Sequence, residues 1–151
     1  MPAMQYFEKA QSSFKPPLVA NENAFLGDIA SSYVLSQLSP CHLLLSIPTI
    51  TPHPSSLTPL PFHPSESTSP TTPISGGLYR LEKGTPLDYT YSYDEMKIVL
   101  EGHFYIKDET GVEVKAEKGD VFLFPKGSRI IFRTEEFGLA FFVGQRGRDT
   151  L

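Results

Sequence analysis

The sequence predicts an all-β fold, an antiparallel sandwich or barrel, from the succession of short apolar runs between residues 77 and 143. Consecutive runs are separated by turn signals such as Lys83-Gly84, Glu101-Gly102 and Lys118-Gly119-Asp120. None of the runs has the 3.6-residue period of an amphipathic helix. Short β-rich segments between closely spaced turns are typical of sandwiches and barrels. The predicted strands cover residues 77–81, 87–91, 96–100, 104–107, 112–116, 121–124, 129–133 and 139–143.

Several of these runs are apolar on both faces, as in residues 121–124 (Val-Phe-Leu-Phe) and 139–143 (Leu-Ala-Phe-Phe-Val). Because side chains alternate between the two faces of a strand, one face of each run fills the interior. The other face has to be covered by a second sheet or by a second subunit. We therefore expect the protein to form a homodimer.

Composition narrows the classes of partner and of compartment. The chain has 151 residues, the size of one domain, and its formal net charge of −4 provides no basic surface for nucleic acid. Cys41 is the only cysteine, which excludes an intrachain disulfide and favours a reducing compartment. The N-terminus lacks the apolar core of a signal peptide, and the leucine run at 43–45 is too short to span a bilayer. We expect a soluble cytoplasmic protein without a nucleic-acid or membrane partner.

Changes in composition divide the chain into N-terminal strands that pack on the barrel (1–30), an insertion (31–74), the barrel core (75–144) and a flexible C-terminal tail (145–151). The insertion is rich in Pro, Ser and Thr; it holds nine of the 14 prolines, and its one formally charged residue is Glu66. Proline at this density prevents helices and sheets from propagating, so the insertion is predicted to be disordered. The insertion also has far less charge than the segments on either side of it. This abrupt change leaves open the hypothesis that the insertion is translated non-coding sequence, such as a retained intron.

Two stretches of the core resemble the two sequence motifs of the cupin family. In the first, six residues separate Glu95 from Gly102. In the second, five residues separate Gly119 from Pro125, and the stretch ends at Gly127. The resemblance implies a jelly-roll β-barrel of the RmlC-like type.

A narrower resemblance comes from residues 91–97 (Tyr-Ser-Tyr-Asp-Glu-Met-Lys) and 80–84 (Arg-Leu-Glu-Lys-Gly). These runs are similar to EutQ-type cupins of ethanolamine utilisation. They are also similar to small fungal cupins that accompany polyketide-synthase gene clusters. The resemblance covers the core and excludes residues 31–74.

The chain departs from metal-binding cupins at their ligand positions. Such cupins have a His-x-His pair shortly before the glutamate and another histidine three residues after the second motif. Those positions hold Tyr89, Tyr91 and Ile130 in this chain. Isoleucine cannot coordinate a metal, neutral tyrosine is a poor ligand beside imidazole, and the single carboxylate of Glu95 does not suffice. We therefore predict that the barrel holds no metal and no other cofactor.

The remaining polar residues of the core point to acid–base chemistry in an apolar barrel. The candidate catalytic residues, which share strand parity within their runs, are Glu95, Tyr91, Tyr89 and Lys97. Burial disfavours the charged form of a carboxylate, so Glu95 is a candidate general acid or base. An ion pair with Lys97 would instead keep Glu95 ionised. The predicted substrate-binding residues, three inside the barrel and one at its mouth, are Ile130, Phe132, Phe141 and Arg80.

The same residues can also serve the fold alone. The tyrosines are amphipathic enough to be rim residues, and Glu95 and Lys97 can form a partly buried ion pair without a catalytic role. Arg80 can lie on a solvated strand face.

Two classes of function remain open. The first is a metal-independent accessory enzyme that isomerises, dehydrates, cyclises or oxidises a small carbonyl-containing intermediate, for example in polyketide biosynthesis. Glu95 would then transfer the proton. The second is a ligand-binding or assembly cupin of the ethanolamine-utilisation type without catalysis. The resemblance supports the fold more directly than either function.

Overall fold

The computed structural model describes residues 4–32 and 73–148, and every structural statement below refers to these ranges. The elements in chain order are α1 (Ala10–Ser13), β1 (Leu18–Ala20), β2 (Ala24–Ser31), β3 (Ser75–Glu82), β4 (Leu87–Thr90), β5 (Glu95–Asp108), β6 (Glu113–Glu117), β7 (Val121–Phe124), β8 (Arg129–Arg133) and β9 (Phe137–Gly144).

The strands form two antiparallel sheets that share one strand. The first sheet has the order β1-β2-β3-β9-β5-β7, and the second has the order β4-β8-β5-β6. Large side chains from both sheets meet inside, where Tyr79, Phe104, Phe132 and Phe142 are fully buried. The predicted all-β, cupin-type barrel is confirmed. Four of its predicted strands agree with the structure to within one residue at each end.

β5 is the strand that joins the two sheets. Its first half pairs with β7 and β9, and its second half pairs with β6 and β8. The change of sheet follows a register shift between Val99 and Glu101 and a left-handed φ of 64° at Gly102. The sequence predicted a turn at Glu101-Gly102 between two short strands, which was wrong. The glycine bends a single 14-residue strand instead of ending it.

The N-terminal strands extend the first sheet. β2 pairs with β3 along its length, from Ala24 opposite Leu81 to Ser31 opposite Ser75. The predicted packing of residues 1–30 on the barrel therefore takes the form of strand pairing. Residues 33–72, most of the predicted disordered insertion, lie outside the described residues.

The predicted flexible tail at 145–151 is corrected in its first residues. The Gln145 amide donates to the Asp94 carbonyl at 2.9 Å, and the Ser75 hydroxyl donates to the Arg146 carbonyl at 2.8 Å. The Arg146 side chain is buried in an ion pair with Asp28 on β2. Arg146 and Asp28 are 118 residues apart in the chain. The composition of the C-terminal segment alone therefore could not predict that Arg146 is held in place.

One face of the first sheet is apolar, and no other residues among those that the structure describes cover it. We call it the outer apolar face and define it by its exposed residues Ile74, Met96, Ile98, Val121, Leu123, Phe141 and Val143. Phe141 was predicted to line the barrel and does not, because its side chain is 37% exposed whereas that of Phe142 is 0% exposed. Phe142 lies opposite Lys97 on β5, so it takes the inward parity and Phe141 points outward. The homodimer that would cover this face stays a prediction.

The described residues contain one short helix, and no helix in them is long and apolar enough to cross a membrane. α1 has four residues and precedes the N-terminal strands.

Gly102→Ala tests whether the bend in β5 depends on this glycine. A Cβ at Gly102 would lie 2.1 Å from the Phe137 carbonyl oxygen, and the residue also has positive φ. Alanine is strained in a left-handed conformation, and its Cβ would also push β9 away. Together these two costs should lower the free energy of unfolding by roughly 2–5 kcal/mol, measured by urea denaturation.

Gly111→Ala is the matched control for that substitution. Gly111 also has positive φ, but no atom lies within 4 Å of an added Cβ. This variant should lose only the conformational cost, roughly 1–2 kcal/mol. Equal losses of stability in the two variants would show that the close approach of β5 to β9 does not contribute to the cost of an alanine at Gly102.

Candidate functional site in the barrel interior

A cavity of about 80 Å³ lies between the two sheets. This volume can hold a few water molecules or a small organic molecule. Its apolar wall comes from the N-terminal strands and from β3, β4 and β8, whereas β5 supplies its only charged side chains. The lining residues are Val19, Ala20, Leu26, Tyr79, Leu87, Tyr89, Tyr91, Tyr93, Glu95, Lys97 and Phe132.

Strict alternation brings four of these side chains to one face. Residues 91, 93, 95, 97 and 99 are buried, and residues 92, 94, 96 and 98 are exposed. This period of two extends from β5 back into the connection with β4. Tyr91 is held there because its amide donates to the Ser128 carbonyl at 2.9 Å and its carbonyl accepts from the Gly127 amide at 2.7 Å. The turn of the second motif therefore positions the tyrosine.

Glu95 is the centre of the polar network. Its side chain is 1% exposed, and Lys97 donates to its Oε1 atom in an ion pair. The Tyr91 hydroxyl also donates to Oε1, at 2.8 Å, and the Tyr93 hydroxyl lies 3.4 Å from Oε2. Buried charges are stabilised only when paired and hydrogen-bonded, and Glu95 has both kinds of partner.

The Lys97 amine lies among aromatic rings. Its Nζ atom is 4.9 Å from the centre of the Tyr79 ring and 5.1 Å from that of Phe142. Burial lowers the pKa of Lys97, and the attraction of the Glu95 carboxylate opposes that shift without cancelling it. The amine is therefore easier to deprotonate than an exposed lysine.

Three tyrosines near Glu95 are difficult to ionise. Burial, and then the negative charge of Glu95, raise the pKa values of Tyr79, Tyr91 and Tyr93. Their hydroxyls therefore remain protonated hydrogen-bond donors throughout the physiological range. The Tyr79 hydroxyl is buried and has no hydrogen-bond partner among the described residues.

A second buried ion pair, between Arg146 and Asp28, lies beside the Tyr93 ring of this network. Arg146 donates to both carboxylate oxygens of Asp28, each at 2.8 Å. Its guanidinium lies 5.5 Å from the centre of the Tyr93 ring and 5.2 Å from that of Phe142. Burial opposes the charge of Arg146, but its hydrogen bonds to the Asp28 carboxylate and the negative charge of that carboxylate raise its pKa overall. The pair fixes the tail beside Tyr93.

The structure brings most of the predicted site residues together. Glu95, Tyr91, Tyr89, Lys97 and Phe132 all line the cavity. The Tyr89 hydroxyl lies 3.5 Å from that of Tyr93 and so joins the network at its edge. Their catalytic and binding roles stay predictions.

Three of the predicted binding residues do not line the cavity. Ile130 is buried in the core beyond it, and Phe141 lies on the outer apolar face. Arg80 is outside, where it pairs with Glu82 at 3.0 Å and lies over the Phe137 ring. Adjacent strand positions point to opposite sides, so Tyr79 takes the inward position and Arg80 the outward one.

Sequence reasoning missed Tyr93, Tyr79 and the Asp28–Arg146 pair. Tyr93 could have been found, since it has the same parity as Tyr91 and Glu95. Asp28 and Arg146 had no such signal, because neither residue lies in a motif and only the fold brings them together. The contribution of Val19, Ala20 and Leu26 to the cavity wall was likewise unpredicted.

The donor set does not fit the metal site that the cupin fold implies. No three His, Cys, Asp or Glu side chains in the described ranges are grouped so as to hold a metal ion. The position beside Glu95 where a cation would bind is occupied by the Lys97 ammonium. Tyr89 and Tyr91 supply neutral phenols, which bind divalent metals poorly. These side chains therefore do not support a metal-dependent reaction.

Alkaline unfolding tests the buried tyrosines. In an unfolded chain a tyrosine has a pKa near 10.0, and folding raises it for three of them. The folded state thus keeps protons that the unfolded state releases, so this stabilisation is complete below pH 10 and is lost above it. Each such tyrosine should reduce the free energy of unfolding by about 1.4 kcal/mol per pH unit.

The measurement is urea denaturation at several pH values above 10.5, where unfolded Lys97 is also largely neutral and adds little slope. Tyr91→Phe should reduce the slope by about one proton. Tyr6→Phe is the control, because that ring is 76% exposed. An unchanged slope in Tyr91→Phe would mean that this hydroxyl ionises in the folded state.

Arg146→Met tests the second ion pair. The substitution leaves the Asp28 carboxylate buried without its bidentate cation, which should lower the free energy of unfolding by about 3–5 kcal/mol in chemical denaturation. Arg129→Met removes an exposed bidentate pair with Asp88 and should change the free energy of unfolding very little, because exposed ion pairs are screened by solvent. Similar losses in both variants would contradict a supporting role for the buried pair.

Comparison with known proteins identifies the family. A model of the family described as ethanolamine utilisation protein EutQ matches residues 51–144. A solved structure of a putative EutQ from Salmonella typhimurium is 32% identical over 48% of this chain and 57% of its own, with a TM-score of 0.44. The EutQ protein of Clostridium difficile is 30% identical over 48% of this chain and 56% of its own, with a TM-score of 0.44.

A protein of unknown function from Rhizobium leguminosarum is 31% identical over 49% of this chain and 71% of its own, with a TM-score of 0.45. The comparison with curated proteins gave no match. The chain spans a little over half the length of the two EutQ proteins. The match begins at residue 51, so the expectation that the resemblance excludes all of residues 31–74 was wrong. Because the family model covers more than half of this chain, the resemblance noted in its motifs is confirmed, and the chain belongs to the EutQ family of cupin-type proteins.

Proposed function

We propose that the protein is a metal-independent enzyme in which Glu95 takes up and returns a proton on a small molecule bound in the barrel. The observation that carries this proposal is a carboxylate 1% exposed to solvent that lines a cavity and contacts both a lysine and a tyrosine hydroxyl. A structural carboxylate does not need a cavity beside it. Buried carboxylates with specific charged partners are typical of catalytic sites.

Each neighbour of Glu95 has a definite part in such a reaction. The Glu95 carboxylate pairs with the Lys97 ammonium and faces the cavity, so it is the group placed to act as the base. Glu95 then returns the proton to a second position on the bound molecule, which restores the ion pair with Lys97. Tyr91 and Tyr93 remain protonated and can donate hydrogen bonds to an oxygen on which negative charge develops.

The size and the lining of the cavity suit a small, largely apolar substrate with one or two oxygen atoms. Its volume of about 80 Å³ excludes large molecules, and most of its wall is aliphatic or aromatic. A carbonyl compound fits this wall because its oxygen can accept hydrogen bonds from the tyrosines. Isomerisation, dehydration and cyclisation of such a compound all require a proton to be moved between two positions. The more specific assignment to polyketide biosynthesis stays a prediction.

The second candidate is a ligand-binding or assembly protein without catalysis. The names of the relatives favour it, since they describe ethanolamine utilisation proteins. The same cavity would then hold a ligand, and Glu95 and Lys97 would neutralise each other as a buried pair. In either case we propose that a second copy of the chain covers the outer apolar face, as the two-sided apolar strands suggest.

Glu95→Gln separates the two candidates. We expect this variant to stop turnover while the barrel stays folded, because Lys97 can lose its proton once the carboxylate is gone. The readout is the metabolite profile of a strain that lacks the gene, complemented with wild type or with the variant, and circular dichroism of purified protein shows whether it folds.

Two further variants sharpen this comparison. Glu101→Gln makes the same chemical change on an exposed side chain of the same strand and should restore the wild-type profile. Tyr91→Phe keeps the ion pair and should lower turnover by roughly 10²-fold. A Glu95→Gln protein that is folded and restores the profile would remove Glu95 from the mechanism and favour the binding function.

A further inference from the structure

We propose that Lys97 forms an imine with an aldehyde or ketone that enters the cavity, so that the carbonyl compound is held covalently. This inference rests on the proposed function because it uses the same cavity and the same carboxylate. It goes further in assigning Lys97 the role of nucleophile and in naming the substrate class by the bond that it forms.

Lys97 differs from the other lysines of the described residues in its position. It is the only one of them whose side chain is buried, and the others are exposed. It lines the cavity together with Glu95, Tyr79 and Tyr91. A lysine in an apolar pocket holds a larger fraction of neutral, nucleophilic amine than a solvated one. The aromatic rings around Nζ provide such a pocket.

Glu95 is placed to move the protons that imine formation requires. Its Oε1 atom accepts directly from the Lys97 ammonium, so the carboxylate can take a proton and release the free amine. The amine nitrogen then attacks the carbonyl carbon, a C–N bond forms and the C=O π bond breaks. The alkoxide oxygen takes one proton from the attacking nitrogen to give the carbinolamine. A second proton returns from Glu95 as the C–O bond breaks and the oxygen leaves as water, which gives the protonated imine.

The reaction preserves the charge balance of the buried site. Lysine ammonium and a neutral aldehyde give a protonated imine and water, with no oxidant or reductant. The product carries one positive charge on the same nitrogen, so the Glu95 carboxylate has its counter-ion both before and after the reaction. A buried carboxylate would lose several kcal/mol if its cation disappeared, which makes this balance a physical requirement.

The carbinolamine oxygen also needs a hydrogen-bond partner in the apolar cavity. The Tyr79 hydroxyl is buried without such a partner, and its ring lies beside the Lys97 amine. An unsatisfied buried hydroxyl is costly, so a bound oxygen atom that pairs with it is favoured. This feature has no role in the proton transfer proposed for Glu95 alone.

Reductive trapping of the wild-type protein with propanal tests the inference. Sodium cyanoborohydride, a hydride donor, converts the protonated imine at neutral pH to a stable N-propyl amine, which peptide mapping by mass spectrometry locates. At limiting aldehyde we expect Lys97 to be alkylated at least about tenfold faster than the exposed Lys126. Alkylation of Lys126 and the other exposed lysines with none at Lys97 would overturn the proposal.

Two variants and a second probe complete the design. Lys97→Arg keeps the cation beside Glu95 but cannot form an imine, so its barrel should fold and the fast adduct should be absent. Lys126→Arg should leave the Lys97 adduct unchanged. Persistence of the fast adduct in Lys97→Arg would place the reactive amine elsewhere and overturn the assignment.

Propionamide has nearly the shape of propanal but does not form imines, and its binding is measured by ligand-observed NMR. Propionamide binding to a protein that gives no propanal adduct at Lys97 would overturn imine formation and leave the pocket and the proposed function standing. Absence of both would remove the small-carbonyl pocket as well.

Discussion

The ion pair between Glu95 and Lys97 is the interaction around which the barrel interior is arranged. Two charges inside an apolar barrel are expensive unless each meets a partner of opposite sign and further hydrogen-bond donors. The strand geometry meets the first need, because residues two apart on β5 share the inward face. Tyr91 and Tyr93 meet the second, and the rings of Tyr79 and Phe142 enclose the ammonium. Tyr79, Tyr91 and Tyr93 therefore both surround the pair and line the cavity.

The bend at Gly102 decides where this pair lies. β5 carries Glu95 and Lys97 in the first sheet and then continues into the second, so the two sheets close over its inward face. The tail closes the same region from the other side, where Arg146 pairs with Asp28 and lies against Tyr93. Charged and polar side chains that hydrogen-bond to one another make an interior rigid and specific, and strands from both the N-terminal and the C-terminal parts of the chain contribute to this network. Such rigidity is what a site needs to hold a small molecule in one orientation.

Strand parity was enough to predict part of the candidate site from the sequence. Glu95, Lys97, Tyr91 and Tyr89 were chosen because they share parity, and the structure brings all four to the cavity. Phe141 was wrong by one position, since a run that is apolar on both faces does not reveal which face is inward. Ile130 does face inward, as predicted, but lies in the core away from the cavity, and Arg80 lies on the solvated strand face that the sequence had left open. The strands themselves were predictable because turns punctuate them, apart from the bend that looked like a turn.

What the sequence by itself determined is local and periodic: the all-β class, the bounds of half of the predicted strands, the family and the parity that groups Glu95 with Lys97. What only the tertiary structure decided is non-local. The Asp28–Arg146 pair spans 118 residues, the wall formed by Val19 and Leu26 comes from strands at the other end of the chain, and the unpartnered Tyr79 hydroxyl depends on neighbours from several strands. Alternation along a strand follows from backbone geometry and can be read from the sequence. Contacts between distant segments depend on how the two sheets pack, and no local pattern encodes that packing.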